Sequence, residues 1–275
     1  MQLTVWLVDH PTFLDEFLYR NALNLLDSSS QERVRHFYHR ADSCRCIIGR
    51  LLPRVLLSEK GVSAENIQFA KTDAGKPYFV TTGVSPPIGY NISHDNELVA
   101  IAFAPGEHGP PAFQIGVDVM RERLPRGERF ASFLRAVGDT LTQEETRLLS
   151  GDDVPENEAI SRFYLIWTIK EAYTKAIGLG LGFDLQRIEY DVATKMVTVD
   201  GVAATEWRFE TSQVTVDEEA YRVTVAQFVG SGNGGGTVVT LNQGQIVRTG
   251  ASGFVRKAIR QLRGLELEGT FNDDI

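Results

Sequence analysis

The sequence predicts an α+β protein, and three observations predict it. Two stretches carry a helical period. One runs from Asp42 to Ser58 through Ile47, Ile48, Leu51, Leu52, Val55 and Leu56. In the other, Phe163, Ile166, Tyr173 and Ile177 share one stripe. Short apolar runs at 3–8, 98–103 and 115–120 read as strands. Beyond the second helix, short strands at 188–190, 195–199, 206–209 and 221–228 are joined by turns and read as a meander.

In chain order, residues 3–8 alternate as a half-buried strand does. Ser29, with Glu32 three residues later, offers a capping box for a helix beginning near Gln31. That helix is expected to carry the basic set Arg33, Arg35, His36, His39 and Arg40. Pro53 lies inside the next helical pattern and predicts a kink, and the pattern ends before Gly61. Residues 67–70 form a short strand, and 71–78 (Lys71-Thr72-Asp73-Ala74-Gly75-Lys76-Pro77-Tyr78) read as a turn. Asn91-Ile92-Ser93-His94 reads as a turn leading into the strand at 98–103. A Pro/Gly segment at 105–111 separates this from the strand at 115–120, which carries Asp118. Gly178, Gly180 and Gly182 stop the second long helix. Residues 230–236 are a flexible linker by composition. The tail beyond it holds one amphipathic helix, about 252–262. Its charged face carries Arg256, Lys257, Arg260 and Arg263, and its apolar face Phe254, Ala258, Ile259 and Leu262. Either that apolar face packs on the body, or the helix steers an acidic partner. No internal repeat is visible.

At 275 residues the chain suits one large domain or two small ones. A net charge of −8 argues against a nucleic-acid binder. No apolar run approaches a membrane span, and the first residues lack the features of a signal or transit peptide. Cys44 and Cys46 fall on different faces of one helix and make neither a disulfide framework nor a metal knuckle, so a reducing cytosol is expected.

Several residues suggest chemistry. Asp118 either faces solvent at a strand end or is buried and needs a partner or a metal. Glu171 and Lys175 are an i,i+4 pair, either solvated or part of a site. Lys170 falls within the apolar stripe and calls for a buried anion. Ser93-His94 is a phosphate-binding pair or a surface pair, and Arg33, Lys71, Lys76 and Lys175 are solvated charge or an anion-binding set. Mg²⁺ takes one or two carboxylates plus phosphate oxygens and water, which this inventory can supply. Walker-A and G-x-G-x-x-G loops are absent, so ordinary P-loop and Rossmann binding is not expected.

Gly116-Val117-Asp118-Val119 precedes Trp167-Thr168-Ile169-Lys170-Glu171-Ala172-Tyr173-Thr174-Lys175-Ala176-Ile177-Gly178. This ordered pair resembles the signature of the 4′-phosphopantetheinyl transferase superfamily. The resemblance extends through Arg33–Arg54, Gly75-Lys76-Pro77 and Asn91-Ile92-Ser93-His94. The run 178–187 looks most like the eukaryotic broad-specificity type that serves aminoadipate-semialdehyde dehydrogenase. It covers about residues 1–229. It implies a monomer of two similar α+β halves, 1–114 and 115–229, with the active site between them and 230–275 as linker and tail. It implies Mg²⁺-dependent transfer of phosphopantetheine from coenzyme A to a serine of apo carrier proteins of fatty-acid, polyketide, nonribosomal-peptide or lysine-pathway systems. By position, Arg33 and Lys71 would hold the 3′-phosphate. Lys71–Lys76, with Gly75, and Asn91, Ser93 and His94 would line the coenzyme A site, with His94 on a phosphate. Asp118 and Glu171 would hold the metal, Glu171 would act as base, and Lys175 would contact the pyrophosphate. Many bacterial relatives place a second acid where Met120 stands; the eukaryotic type shares the apolar residue. Asp95, next to His94, either reaches the metal, directly or through water, or caps its own turn.

Overall fold

The computed structural model describes residues 2–81, 83–151 and 154–263. The chain opens with strand β1 (Thr4–Asp9) and helices α1 (Glu16–Leu23), α2 (Ser28–Arg35) and α3 (Arg40–Glu59). A small hairpin, β2 (Phe69–Lys71) and β3 (Pro77–Phe79), precedes a larger one, β4 (Ile88–Asp95) and β5 (Leu98–Pro105). The second half begins with β6 (Ile115–Arg121), then α4 (Phe130–Ala136), α5 (Gln143–Leu149) and α6 (Glu156–Ile177). A small meander of β7 (Ile188–Asp191), β8 (Met196–Val199) and β9 (Val202–Ala203) leads to the long hairpin β10 (Trp207–Val216) and β11 (Glu219–Phe228). The chain closes with β12 (Val238–Thr240), β13 (Ile246–Gly250) and α7 (Ala251–Arg263).

The expected α+β architecture of two similar halves is present, as a repeat of topology that no sequence repeat announces. Each half is a strand, a long helix and a β-hairpin: β1, α3, β4–β5, then β6, α6, β10–β11. In each sheet the first strand pairs antiparallel with the second strand of the hairpin, giving β1-β5-β4 and β6-β11-β10. The sheets pack face to face through Leu98, Ala100 and Ala102 of β5 and Val117, Val119, Val223 and Val225 of β6 and β11. The outer face of the first sheet, with Val99 and Ile101, is covered by α3 and α7. The second sheet carries α6 on its outer face. Both faces of β5 are therefore buried, which is why it reads as an unbroken apolar run.

Three local expectations are corrected. The first basic helix is capped by Asp27, whose carboxylate accepts from Ser30 N at 2.9 Å, not by a Ser29–Glu32 box. Helix α3 includes Pro53, which is buried. Asn91–His94 is not a turn but the body of β4, paired residue for residue with β5 from Ile88↔Pro105 to Asp95↔Leu98. The segment expected as linker and tail is part of both sheets: β12 pairs parallel with β10, and β13 pairs parallel with β1. Its helix lays Phe254, Val255, Ala258 and Ile259 into the core of the first half, and Lys257 pairs with Glu59 at 2.5 Å. The packing reading of that helix is the one realised. Residues 264–275 of the expected tail lie outside the described residues. Among the described residues no helix is long and apolar enough to cross a membrane.

Ile259→Ala is expected to cost about 2–5 kcal/mol, as buried large-to-small changes do. Val247→Ala, on a half-exposed edge residue of the same segment, is expected to stay within about 0.5 kcal/mol of wild type. Urea denaturation of both variants checks this; equal effects would mean that the tail is not part of the cooperative core.

Candidate active site

The site is built where α6 crosses β6. Helix α6 ends in a left-handed Gly178 (φ 82°), as the sequence predicts. A Cβ placed on Gly116 would lie 2.0 Å from the Ala172 carbonyl oxygen and 2.5 Å from the Ala176 nitrogen. No side chain fits there, so glycine lets the helix backbone rest on the strand backbone. Asp118, two residues along, shares that face of β6. Glu171 and Lys175 immediately precede the two α6 residues that touch Gly116.

Asp118 is buried, and its Oδ1 accepts from Lys175 Nζ at 2.5 Å and from Ser93 Oγ at 3.0 Å. Its Oδ2 is buried without a hydrogen-bond partner, and so is Oε1 of Glu171. Burial raises the pKa of Asp118, against the pull of Lys175 and Ser93. Burial also raises that of Glu171, with the Asp118 charge adding to it. Two buried acceptor-only oxygens without donors suit a hard cation, which would remove both penalties at once. Among the described residues no group of three or more His, Cys, Asp or Glu is placed to hold a metal, so other coordination positions would fall to water or substrate oxygens.

Lys175 has three N–H donors, of which Ser93 Oγ (3.0 Å) and Asp118 Oδ1 take two. Its side chain is 26% exposed, so the remaining donor is reachable. His94 is on the exposed side of β4, its pKa lowered by lost hydration and then by the charges of Arg45 and Lys175. Arg33 on α2, Lys71 at the end of β2 and Gly75 (φ 87°) in the β2–β3 turn are exposed. No hydrogen bond or ion pair among the described residues joins these three to the carboxylate pair.

Three of the residues considered for ligand contact make bonds within the protein. Lys76 is buried, and its Nζ donates to the carbonyls of Phe113 (2.6 Å), Ile115 (3.0 Å) and Ala176 (2.7 Å). All its donors are taken, and it pins the first half's β2–β3 hairpin to β6 and to the end of α6. Asn91 Oδ1 accepts from Val117 N at 3.0 Å. Asp95 Oδ2 accepts from Arg121 N at 2.8 Å, and its Oδ1 from the Asn96 amide at 2.8 Å. Asp95 is thus tied to β6 and its own turn rather than turned to the carboxylate pair.

The anion that Lys170 calls for is Glu145. Lys170 Nζ donates to Glu145 Oε2 at 2.5 Å and to the carbonyls of Thr140 and Leu185, with both side chains essentially fully buried. Glu145 also accepts from Thr142 N and Tyr190 N. The Thr142–Glu145 capping box is the sequence signal that marks it. Arg45, which donates to the Asn96 carbonyl at 2.9 Å beside His94, carries no such signal.

Comparison with known proteins agrees on one family. Residues 114–226 match the model of the 4′-phosphopantetheinyl transferase superfamily, and residues 14–106 that of the 4′-phosphopantetheinyl transferase N-terminal domain. The chain is 43% identical over 266 residues to 4′-phosphopantetheinyl transferase pptA of Paxillus involutus, covering 95% of this chain and 100% of that one. It is 31% identical over 217 residues to a phosphopantetheinyl transferase of Thraustochytrium, covering 76% and 73%. It is 29% identical over 208 residues to the rat L-aminoadipate-semialdehyde dehydrogenase-phosphopantetheinyl transferase, covering 70% and 65%.

Two substitutions test this geometry. Gly116→Ala is expected to cost about 3 kcal/mol or more, at the upper end for overpacking, because backbone rather than a side chain must yield. Lys76→Met is expected to lower the urea midpoint, since three carbonyls lose their donor. Burial pulls the Lys76 ammonium down to about 7. The unfolded chain therefore holds this proton to higher pH than the folded one, and stability rises with pH from about 7 toward the ordinary lysine range. Lys76→Met should flatten that rise; matching wild-type and variant slopes between pH 7 and pH 10 would contradict it.

Proposed function

The chain belongs to the 4′-phosphopantetheinyl transferase superfamily and transfers 4′-phosphopantetheine to carrier proteins, and we propose that Asp118, Glu171 and Lys175 carry the reaction. The observation that carries this reading is the pair of buried, unpartnered carboxylate oxygens beside a lysine with one donor left.

The serine hydroxyl of the carrier attacks the phosphorus that bears the pantetheine arm. The bond from that phosphorus to the adenosine 3′,5′-bisphosphate breaks, and the bisphosphate leaves with the electron pair. Glu171 takes the serine proton, as the carboxylate that keeps a buried oxygen without a donor. Its Oε1 and Oδ2 of Asp118 would hold Mg²⁺, which supplies charge neutralisation to the pyrophosphate when bound. Lys175 is positioned by its two fixed bonds to give its third N–H to a pyrophosphate oxygen. His94, its neighbour in charge, faces the same anion. Arg33 and Lys71, exposed and with no hydrogen bond or ion pair among the described residues, hold the 3′-phosphate, and Gly75 shapes the turn beside it. Asn91 and Lys76 serve the site as walls that fix β6.

The carriers we propose are those of fatty-acid, polyketide, nonribosomal-peptide and aminoadipate-reductase systems. The last rests on the relatives named for L-aminoadipate-semialdehyde dehydrogenase. We further propose a cytoplasmic monomer.

Incubation with coenzyme A, Mg²⁺ and an apo carrier domain, followed by weighing the carrier, tests the reading; a carrier that gains no phosphopantetheine refutes it. Glu171→Gln keeps size but cannot accept the proton, and is expected to lower turnover by about 10²–10⁴-fold with coenzyme A binding near wild type. Near-normal turnover would remove Glu171 from the base role. Asp118→Asn should raise the Mg²⁺ concentration for half-maximal rate, whereas the Asp95→Ala titration should overlay that of wild type. A shifted Asp95→Ala curve would return Asp95 to the metal.

A further inference from the structure

Strands β4 and β6 are the facing edges of the two sheets, and they do not pair through their backbones. Side chains bridge them instead. Asn91, Ser93 and Asp95, alternate residues of β4, accept from the main-chain N–H groups of Val117, Val119 and Arg121, alternate residues of β6. The middle rung is different from the outer two. A hydroxyl offers one donor and two acceptor positions, and Ser93 fills all three. It donates to Asp118 Oδ1 at 3.0 Å, and it accepts from Lys175 Nζ at 3.0 Å and from Val119 N at 3.3 Å. The ammonium and the main-chain N–H can only donate to Oγ, which leaves the hydroxyl proton for Asp118 Oδ1. Ser93 is buried, and the rungs on either side hold its register.

Accepting on the role given above to Asp118 and Lys175, we propose that Ser93 is a positioning residue that orients both of them rather than a contact for coenzyme A. Its bond to Oδ1 keeps that oxygen turned to the seam and leaves Oδ2 free. Its second bond holds an ammonium on a flexible four-carbon stem, which otherwise has only the Asp118 bond to fix it. The first half of the chain thereby sets the aim of two groups that belong to the second.

The full-length protein with Ser93→Ala and with Ser93→Thr distinguishes the two roles. Turnover on an apo carrier at saturating coenzyme A is measured beside coenzyme A affinity by calorimetry, with thermal unfolding to confirm that each variant folds. Ser93→Ala is expected to lower kcat about tenfold to a hundredfold, the scale of a small misplacement of catalytic groups. Coenzyme A affinity should stay within about twofold of wild type, because no ligand bond is lost. Ser93→Thr keeps the hydroxyl and should restore most of the rate; should Ser93→Ala fail to fold, Ser93→Cys, whose thiol is a weak donor and acceptor, takes its place with the same expected loss of kcat and retained affinity. Affinity that falls with kcat at saturation intact makes Ser93 a ligand contact and overturns the proposal. An unchanged kcat in Ser93→Ala, or a folded Ser93→Thr as slow as a carboxylate-site loss, overturns it as well. Wild type that transfers nothing refutes the transferase reading instead, and the calorimetric comparison still decides the role of Ser93.

Discussion

The approach of the α6 backbone to Gly116 is the contact on which the remaining geometry depends. It brings two main chains closer than any side chain would allow, and the residues of the site are defined by their offset from it. A strand repeats its face every second residue, so Asp118 looks the same way as Gly116. A helix turns about 100° per residue, so Glu171 and Lys175, one before Ala172 and Ala176, stand to one side of the contact line and four residues apart on a common stripe. Val117 and Val119, the intervening residues of β6, face the other sheet and sit fully in the shared core. One strand thus presents the acid on one face and anchors itself with the other.

The three lysines near α6 separate by donor bookkeeping rather than by charge. Lys76 and Lys170 are buried with every N–H bonded, Lys76 to three carbonyls and Lys170 to two carbonyls and a carboxylate. A buried ammonium is tolerable only on such terms, and it has nothing left to offer a ligand. Lys175 is half-exposed and retains a donor. A set of cations that look alike in sequence therefore divides into two pins and one group free to act.

Much of this was legible in the sequence. The α6 stripe, its Gly178 stop, the strand around Asp118 and the need of Lys170 for an anion follow from period and polarity, which are local. What the sequence hid is non-local. Asn91, Ser93 and Asp95 are turn formers by composition, yet in β4 their short polar side chains serve to cap the edge of another strand. Lys76 lies in a Gly turn, and only the third dimension places its ammonium among carbonyls 37 to 100 residues away. The glycines at 230–236 do look like a linker, but the strands after them pair with partners far back in the chain, and local pattern does not reveal parallel pairing of that range. The halves repeat in topology without repeating in sequence because strand order constrains burial pattern, not residue identity.

That repeat leaves a question which the tail answers. Two similar halves facing each other leave two pairs of edges to satisfy, β4 with β6 and, in the corresponding places of the other strands, β1 with β10. An edge strand with unpaired backbone groups must be covered. At the first pair the cover is the side-chain ladder, whose rungs leave room for polar groups and include the serine that meets Asp118 and Lys175. At the second, backbone does the covering: β13 adds to β1 and β12 to β10. Gln245 between them reaches both the Leu3 carbonyl and Glu210, and Arg248 both Asp9 and the Thr215 carbonyl. Side-chain rungs place chemistry at an interface, whereas added strands only close it. The two pairs of edges are thus satisfied in different ways, and the segment after residue 230 supplies the strands that cover one of them.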